Sequence, residues 1–246
     1  MQNAFVDIHH HFLYGLDDGP ASRDEMYRMI DAAAEEGVGC MIATPHFYPG
    51  IKPFDQDQYE RALAEAKAYC RSRHPQLHIE GGAEVLFTQS AVRMLREGRI
   101  PALAQSQQVL VEWTESASAQ EVASAVREIA NAGYATVIAH AERLPCFWRS
   151  PEPLVQLKQE GCVRIQVNAS SLLRGPLCLR GWQAKRLCRM QLADYVASDA
   201  HDTLVRSVQL QAAYEQQCRK NGAAAAAQLF GGNQQELLMF PAENKF

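Results

Sequence analysis

The chain has 246 residues, of which 47% are hydrophobic, and its formal net charge is −4 at neutral pH. This length can bury a substantial core of the size of one α/β barrel domain, and the mild acidity without Lys/Arg runs argues against a nucleic-acid-binding surface. The N-terminus does not resemble a signal peptide, and no apolar run approaches ~18 residues, so membrane insertion is not expected.

An apolar run at residues 4–8 predicts the first β-strand, which leads directly into three histidines. His9 and His11 are two residues apart, so their side chains should point to the same face of the strand. His10 points to the opposite face and is not counted as a ligand. Two imidazoles that project to the same side can both bind one metal ion, so the pair indicates a metal site. Asp18, a further candidate ligand, follows in a glycine-containing loop.

Helices and strands alternate through the rest of the sequence. Apolar runs predict six further strands, at 38–44, 77–83, 109–111, 135–139, 163–167 and 194–198. Helical periodicity predicts a first helix from about Ser22 to Gly37, and others at 58–73, 88–97, 118–132, 153–160, 179–190, 203–221, 223–229 and 233–239, with a frayed tail from 241.

This alternation, repeated about seven times, predicts a parallel sheet covered by helices. Closure into a barrel is the economical arrangement, and an open doubly wound sheet is the alternative that periodicity alone leaves open.

Imidazole and carboxylate side chains stand at the ends of the predicted strands. In a parallel barrel these ends share one mouth, so we expect the side chains to converge there. They are His9, His11, His46, Glu84, Glu112, His140, Asp199 and His201. With Asp18 they exceed what one ion can use, which predicts a cluster of two or three ions. Imidazole and carboxylate ligands without cysteine suit Mn²⁺, Fe or Zn²⁺.

Two arginines follow the ligand-bearing strand ends, Arg143 and Arg206. A guanidinium at this place can hold a phosphate through two parallel hydrogen bonds. Two-metal sites clamp the oxygens of a phosphoryl group during displacement, so the set as a whole indicates phosphoester hydrolysis.

The seven cysteines are scattered, without a Cys-x-x-Cys pair, which favours reduced thiols and a cytoplasmic location. Cysteine-based phosphatases need an arginine six residues after the nucleophile. None of the seven cysteines has one, so the sequence excludes a thiolate mechanism of that type.

Several short motifs together resemble the polymerase and histidinol phosphatase (PHP) superfamily. They are DIHHH at 7–11, DDG at 17–19, TPH at 44–46, GAE at 82–84, Glu112, HAER at 140–143 and SDAH at 198–201. Within the superfamily the sequence is most similar to the bacterial manganese-dependent protein tyrosine phosphatases linked to capsule and exopolysaccharide synthesis. Each motif alone is weak evidence for the superfamily, but the combination is specific and covers roughly residues 4–240.

The resemblance implies a single PHP-type metallophosphatase domain over 1–246, folded as a distorted seven-stranded (β/α)7 barrel. It implies three ion positions, with Mn²⁺ as the favoured metal. The first would be bound by His9, His11, Glu84 and Asp199, the second by Glu84, Glu112 and His140, and the third by Asp18, His46 and His201. Arg143 and Arg206 match the phosphate-binding arginines of that family.

The same resemblance implies that the substrate is phosphotyrosine, on the tail of an autophosphorylating tyrosine kinase. Phe47, Tyr48 and Trp148 are candidates to receive the phenyl ring, with loop packing as the alternative. A small-molecule phosphoesterase, such as a histidinol phosphatase, is the alternative enzyme. A non-catalytic scaffold and a nuclease are further alternatives, and the sequence does not indicate the oligomeric state.

Overall fold

The computed structural model describes residues 5–234 and 237. The first residue of the predicted strand 4–8, most of the predicted helix 233–239 and the predicted tail from 241 lie outside these residues.

Among the described residues, nine strand segments, all paired in parallel, surround the core. They are β1 (Phe5–His10), β2 (Val38–Ala43), β3 (His46–Phe47), β4 (His78–Gly81), β5 (Glu84–Leu86), β6 (Gln108–Glu112), β7 (Ala135–Ile138), β8 (Val163–Asn168) and β9 (Tyr195–Ala197). One sheet has the order β1-β2-β4 and the other has the order β3-β5-β6-β7-β8-β9.

The two sheets form one ring, because β2 continues into β3 and β4 continues into β5 after short interruptions. The ring is completed where the N–H of Asp199 donates to the carbonyl oxygen of His9 and the N–H of His11 donates to that of Ala200, both at 2.9 Å. Counted this way, the segments are seven strands, which confirms the predicted distorted (β/α)7 barrel. The open doubly wound sheet is therefore wrong.

The interruptions are the main departure from the predicted strands. Pro45 has no N–H to donate to a strand ladder, so β2 ends and β3 restarts at His46. The predicted strand 77–83 is likewise divided, and Glu84 begins β5 rather than following a strand. Both restarts lie side by side, since His46 pairs with Glu84 in the register of β3 and β5.

Helices cover the outside of the ring. They are α1 (Arg23–Glu35), α2 (Gln56–Arg73), α3 (Gln89–Arg96), α4 (Ala119–Asn131), α5 (Glu152–Gln159), α6 (Ala169–Leu173), α7 (Leu179–Arg189), α8 (Leu210–Asn221) and α9 (Ala223–Ala227). Short 3₁₀ turns lie at Leu103–Gln105, Ala141–Arg143 and Pro145–Phe147, and a π turn at Gln228–Gly232 follows α9. Within residues 5–234, no helix combines the length and apolarity that a membrane crossing requires.

The predicted helix 203–221 is wrong in its first third, because α8 begins only at Leu210. The Asp202 carboxylate accepts hydrogen bonds from the backbone N–H groups of Leu204 and Val205, each at 2.6 Å. A side chain that binds nearby N–H groups in this way offers the backbone an alternative to the helix. As a result, Arg206 lies in a loop after β9 and not on a helix.

The N-terminus of α4 is capped by the side chain of Ser118. The Ser118 hydroxyl accepts from the Glu121 N–H at 3.2 Å, and the Glu121 carboxylate accepts from the Ser118 N–H at 2.7 Å. We expect Ser118→Ala to reduce stability by about 1 kcal/mol. In thermal unfolding the Tm should fall by roughly 2–4 °C. Ser124→Ala, at an exposed position inside the same helix, is the control; equal Tm values for both variants would contradict this account.

Candidate metal centre

The structure brings all nine predicted ligand residues to one mouth of the barrel. Glu84 stands at the centre, almost fully buried, and its carboxylate faces four imidazoles. The distances are 3.3 Å to His9 Nε2, 3.3 Å to His11 Nε2, 3.0 Å to His46 Nδ1 and 2.8 Å to His140 Nε2. The other four residues lie around this group.

The innermost part of the cluster is formed by β1 and by the residue after β9. The Nε2 atoms of His9 and His11 lie 3.1 Å apart, so both rings point into the same space, as the two-residue spacing predicts. Asp199 Oδ1 faces them at 3.5 and 3.7 Å. His9 and His11, together with Glu84, form one of the groups whose ligand atoms lie close enough to hold one ion.

A second group lies on the side of β6 and β7. Glu112, the last residue of β6, places Oε1 3.5 Å from His46 Nδ1 and Oε2 3.8 Å from His140 Nε2. Because His140 also contacts Glu84, the Glu84 carboxylate is shared between this group and the innermost one.

The third group lies at the open side of the mouth. Asp18 Oδ1 is 3.3 Å from His46 Nε2 and 3.2 Å from His201 Nε2. The side chain of Asp18 is 56% exposed and that of His46 is 17% exposed, whereas Glu84 is 1% exposed. Solvent, and any substrate, therefore reaches the cluster from this side.

Two members of the cluster have unusual backbone conformations. His140 has φ of 31° and Asp199 has φ of 54°, which non-glycine residues adopt rarely. Each follows the end of a strand, and the left-handed turn directs the side chain inward. Such strain is retained where the surrounding structure requires one geometry, which is frequent at functional sites.

His10 takes no part in these contacts, as its position in the strand predicts. Its ring is fully buried and packs edge-on against Phe12, with 5.3 Å between ring centroids. Burial, with His11 and His201 nearby, lowers the pKa of His10 well below its usual value.

Asp17 is a supporting residue whose role the sequence analysis missed, although its motif was noted. One carboxylate oxygen lies 2.7 Å from His11 Nδ1 and also accepts from the His46 N–H at 2.9 Å. The contact to Nδ1 directs the other ring nitrogen of His11 toward Glu84. Carboxylates commonly orient metal-binding histidines in this way.

The cluster is strongly coupled electrostatically. Burial disfavours charge on His11, but hydrogen bonds to Asp17 and Glu84 outweigh burial and raise its pKa to about 9. Burial acts likewise on His46, yet its hydrogen bonds to Glu112 and Glu84 raise its pKa to about 11. Burial would raise the pKa of Glu84, but the surrounding imidazoles hold it well below its usual range.

These observations fit a centre for divalent cations. Five imidazoles and four carboxylates converge, and in the innermost group the Nε2 atoms of His9 and His11 lie 3.1 Å apart beside the Glu84 carboxylate. Such an arrangement needs protons or cations within it, and metal binding to imidazole and carboxylate displaces protons. The donor set, without a cysteine among the three ligand groups found in the described residues, is typical of Mn²⁺, Fe or Zn²⁺.

Both predicted arginines reach this centre from its rim. Arg143 donates to Asp199 Oδ2 at 2.5 Å. Arg206 donates to Asp18 Oδ2 at 2.9 Å and to Asp199 Oδ1 at 3.3 Å. The loop that replaces the predicted helix start therefore brings Arg206 to the cluster.

Of the three candidate aromatic residues, only Tyr48 faces the mouth. It stacks on His46, with ring centroids 5.4 Å apart, and lines a cavity of about 570 Å³ together with Asp18 and Lys52. Phe47 is buried against Phe54, which favours the packing alternative for Phe47. A larger cavity of about 860 Å³ lies on the far side of the 47–54 loop, and none of the nine cluster residues lines it.

Trp148 is also fixed by packing. Its indole N–H donates to the carbonyl oxygen of Glu142 at 3.0 Å, within the turn that carries Arg143. This contact favours the packing alternative for Trp148.

Residues 5–239 match the model of the family described as "Capsular polysaccharide synthesis, CpsB/CapC". The chain belongs to the CpsB/CapC family. Among relatives of the chain, the tyrosine-protein phosphatase CpsB of Streptococcus agalactiae is 28% identical over 238 residues, covering 95% of this chain and 98% of that protein. The tyrosine-protein phosphatase YwqE of Bacillus subtilis is 27% identical over 213 residues, covering 85% and 82%.

Solved structures agree with this family assignment. A chain from the crystal structures of B. subtilis YwqE and Streptococcus pneumoniae CpsB, described as unique metal-dependent tyrosine phosphatases, superposes with a TM-score of 0.84 and 25% identity, covering 96% of this chain and 94% of that one. The phosphotriesterase homology protein of Escherichia coli has a TM-score of 0.60 at 10% identity, covering 96% and 99%, and so shares the fold.

The loop that carries Asp17 and Asp18 generates a prediction. A Cβ added at Gly19 would lie 2.2 Å from the backbone oxygen of His11, so Gly19→Ala must displace the loop. We expect the protein to bind Mn²⁺ roughly 10–100-fold more weakly, because Asp17 and Asp18 shift together. Metal titration of the purified apoprotein measures this.

Gly175→Ala is the matched control, since a Cβ there meets no atom within 4 Å. Equal Mn²⁺ affinity in the two variants would show that the loop position does not matter for metal binding.

Proposed function

We propose that this protein is a metal-dependent tyrosine phosphatase of capsular or exopolysaccharide synthesis. The observation that carries the proposal is the convergence of five histidines and four carboxylates, with Glu84 at their centre and two arginines at the rim. Membership in the CpsB/CapC family and the similarity to metal-dependent tyrosine phosphatases support it.

We propose two or three ions, with Mn²⁺ as the native metal. The innermost position uses His9, His11, Glu84 and Asp199; the second uses Glu84, Glu112 and His140; the third uses Asp18, His46 and His201. Bound there, divalent cations supply a hydroxide nucleophile near neutral pH and positive charge for the phosphoryl oxygens.

The chain's own side chains bind and orient the phosphoryl group. Arg143 and Arg206 both contact Asp199, and Arg206 also contacts Asp18, so both guanidinium groups can reach a phosphate at the mouth. Planar guanidinium groups match two phosphate oxygens at once. Such fixed positive charge stabilises the transition state of phosphoryl transfer.

The open side of the site suits an aromatic phosphate monoester. Tyr48 forms a wall of the 570 Å³ cavity beside His46 and Asp18, where a phenyl ring can lie against it. A phenolate, whose conjugate acid has a pKa near ~10, leaves without a strong general acid.

We further propose that the physiological substrate is the phosphorylated tail of an autophosphorylating tyrosine kinase, in the cytoplasm. The seven free cysteines support a reducing compartment. The ring formed by β1 to β9 supports the view that residues 1–246 form one metallophosphatase domain.

Cysteine chemistry does not fit this centre. Burial raises the pKa of the Cys40 and Cys188 thiols to about 12, and that of Cys70 to about 11. Thiols in such surroundings are poor nucleophiles near neutral pH.

The proposal is tested by comparing turnover of a phosphotyrosine peptide with turnover of histidinol phosphate. We expect the peptide to be hydrolysed with the higher kcat/KM. Chelation should abolish this activity and Mn²⁺ should restore it, whereas iodoacetamide should leave it intact. Faster turnover of histidinol phosphate would favour the small-molecule phosphoesterase, and metal binding without any turnover would favour a scaffold.

The arginine roles give a separate prediction. Arg143→Ala should lower kcat/KM by about 10²–10³-fold, because it removes a donor to the phosphoryl oxygens. Bound metal should stay constant, since Asn168 still donates to Asp199 Oδ2 at 2.7 Å. Elemental analysis beside steady-state kinetics measures both quantities.

Arg149→Ala is the control for Arg143→Ala, because Arg149 is exposed in the same connection between β7 and α5. A loss of metal in proportion to the loss of activity would show that Arg143 serves the metal centre and not the phosphate.

A further inference from the structure

Strand β8 provides no member of the nine-residue cluster, yet it presents two buried amides beside it. Gln166 is 0% exposed and Asn168 is 1% exposed. The strand lies between β7 and β9 in the ring, and these neighbours lead to His140 and Asp199. Burying two amides is unfavourable unless their hydrogen bonds are satisfied.

The direction of the hydrogen bonds can be read from the carboxylate at one end. Asn168 Nδ2 lies 2.7 Å from Asp199 Oδ2, which also accepts from Arg143. An ionised carboxylate only accepts, so Asn168 must donate here. The Asn168 oxygen is then left to accept, and Gln166 Nε2 donates to it at 2.7 Å.

The hydrogen bonds of Gln166 at the other end give the same donor and acceptor assignment independently. Gln166 Oε1 accepts from the backbone N–H of His140 at 2.6 Å, and a backbone N–H can only donate. The same oxygen faces His9 Nδ1 at 3.3 Å. His9 must therefore carry a proton on Nδ1, which leaves the lone pair of Nε2 for the cluster.

We propose that Gln166 and Asn168 form a one-directional hydrogen-bond relay that fixes both the tautomer of His9 and the orientation of Asp199. They are positioning residues, and the inference rests on the proposed metal centre. His9 presents Nε2. Asp199 turns Oδ2 to Asn168 and Arg143, so that Oδ1, which Arg206 also contacts at 3.3 Å, faces the Nε2 atoms of His9 and His11. Both residues belong to the innermost ion position, so the relay prepares that position in particular.

The relay explains why positions 166 and 168 are occupied by amides and not by carboxylates. A carboxylate at 166 would keep both acceptor contacts, to His140 and to His9, but it could not donate to Asn168. Asn168 would then have to rotate to satisfy it, and its oxygen would face Asp199 Oδ2. That repulsion would displace Asp199 from the cluster.

The variant Gln166→Glu therefore distinguishes the relay from a simpler role, in which Gln166 only orients the His9 ring. If Gln166 only orients the His9 ring, a carboxylate should preserve or tighten metal binding, since carboxylate partners make ligating histidines more basic. The relay predicts the opposite: Mn²⁺ binding to the innermost position weakens about 10–100-fold. Metal titration and elemental analysis of the full chain should show about one ion fewer per chain.

Asn168→Asp provides a second variant with the same prediction, because it replaces the donor to Asp199 with an acceptor. Gln183→Glu is the matched control. Gln183 is also 0% exposed, but it donates to the carbonyl oxygen of Phe147 at 3.2 Å, away from the cluster. Its change should affect the Tm without changing the number of ions bound.

The tautomer can be observed without any variant, so the proposal does not depend on their folding. In the Zn²⁺-loaded protein with ¹⁵N-labelled histidine, long-range ¹H–¹⁵N correlation should show His9 protonated at Nδ1 and metal-bound through Nε2. Protonation at Nε2, or unchanged ion number and affinity in both folded relay variants, would overturn the relay. These measurements use no substrate, so a failure of phosphotyrosine hydrolysis would refute the proposed activity alone.

Discussion

The structure depends on one buried carboxylate. Glu84 is almost completely removed from solvent and touches four imidazoles that come from three different parts of the chain. An isolated buried carboxylate is very costly, so its position is tenable only with positive charge around it. Protonated imidazoles or metal ions are the groups that can supply this charge here. The barrel mouth is built to hold Glu84 and its partners together.

That constraint explains why the strands are interrupted where they are. Pro45 ends β2, and Gly82 passes so close to Leu103 and Ile42 that a Cβ would lie 3.1 and 3.2 Å from their methyl groups. After these breaks the chain resumes pairing at His46 and Glu84, side by side. Two neighbouring strands thus bend at the same level, and both of their first residues turn toward the centre of the ring.

Much of this site follows from the sequence, for a simple geometric reason. The ends of parallel strands share one face of a barrel, so histidines and acids placed after apolar runs had to meet. The convergence of the residues at the strand ends was predicted on this ground. The shared face of His9 and His11 was predicted from their two-residue spacing, and the closed seven-stranded ring from the resemblance to the PHP superfamily, because periodicity alone left an open sheet as the alternative.

The parts that the sequence did not reveal depend on contacts between distant segments. The break between β4 and β5 comes from close packing at Gly82, and the loop that carries Arg206 comes from the Asp202 side chain binding its own backbone. Phe47 looked like a mouth residue because it follows His46, but alternation along β3 turns it into the core. Gln166 and Asn168 had a visible signal, since with Arg164 they place polar residues at alternate positions of β8, yet only the structure shows what the two amides bind.

The cluster has a buried side, which suits retention of ions, and an open side, which suits binding of the substrate. His9, Glu84 and Asp199 lie deep, where water is excluded and each contact is electrostatically strong. Asp18, His46 and Arg206 lie at the exposed rim, beside Tyr48. Residues at the rim can exchange partners when a phosphate arrives, because solvent screens their ion pairs. The deep residues cannot do so without a large penalty. A fixed interior with an adaptable rim is therefore the arrangement that lets one centre retain its ions and still admit a substituted phenyl phosphate.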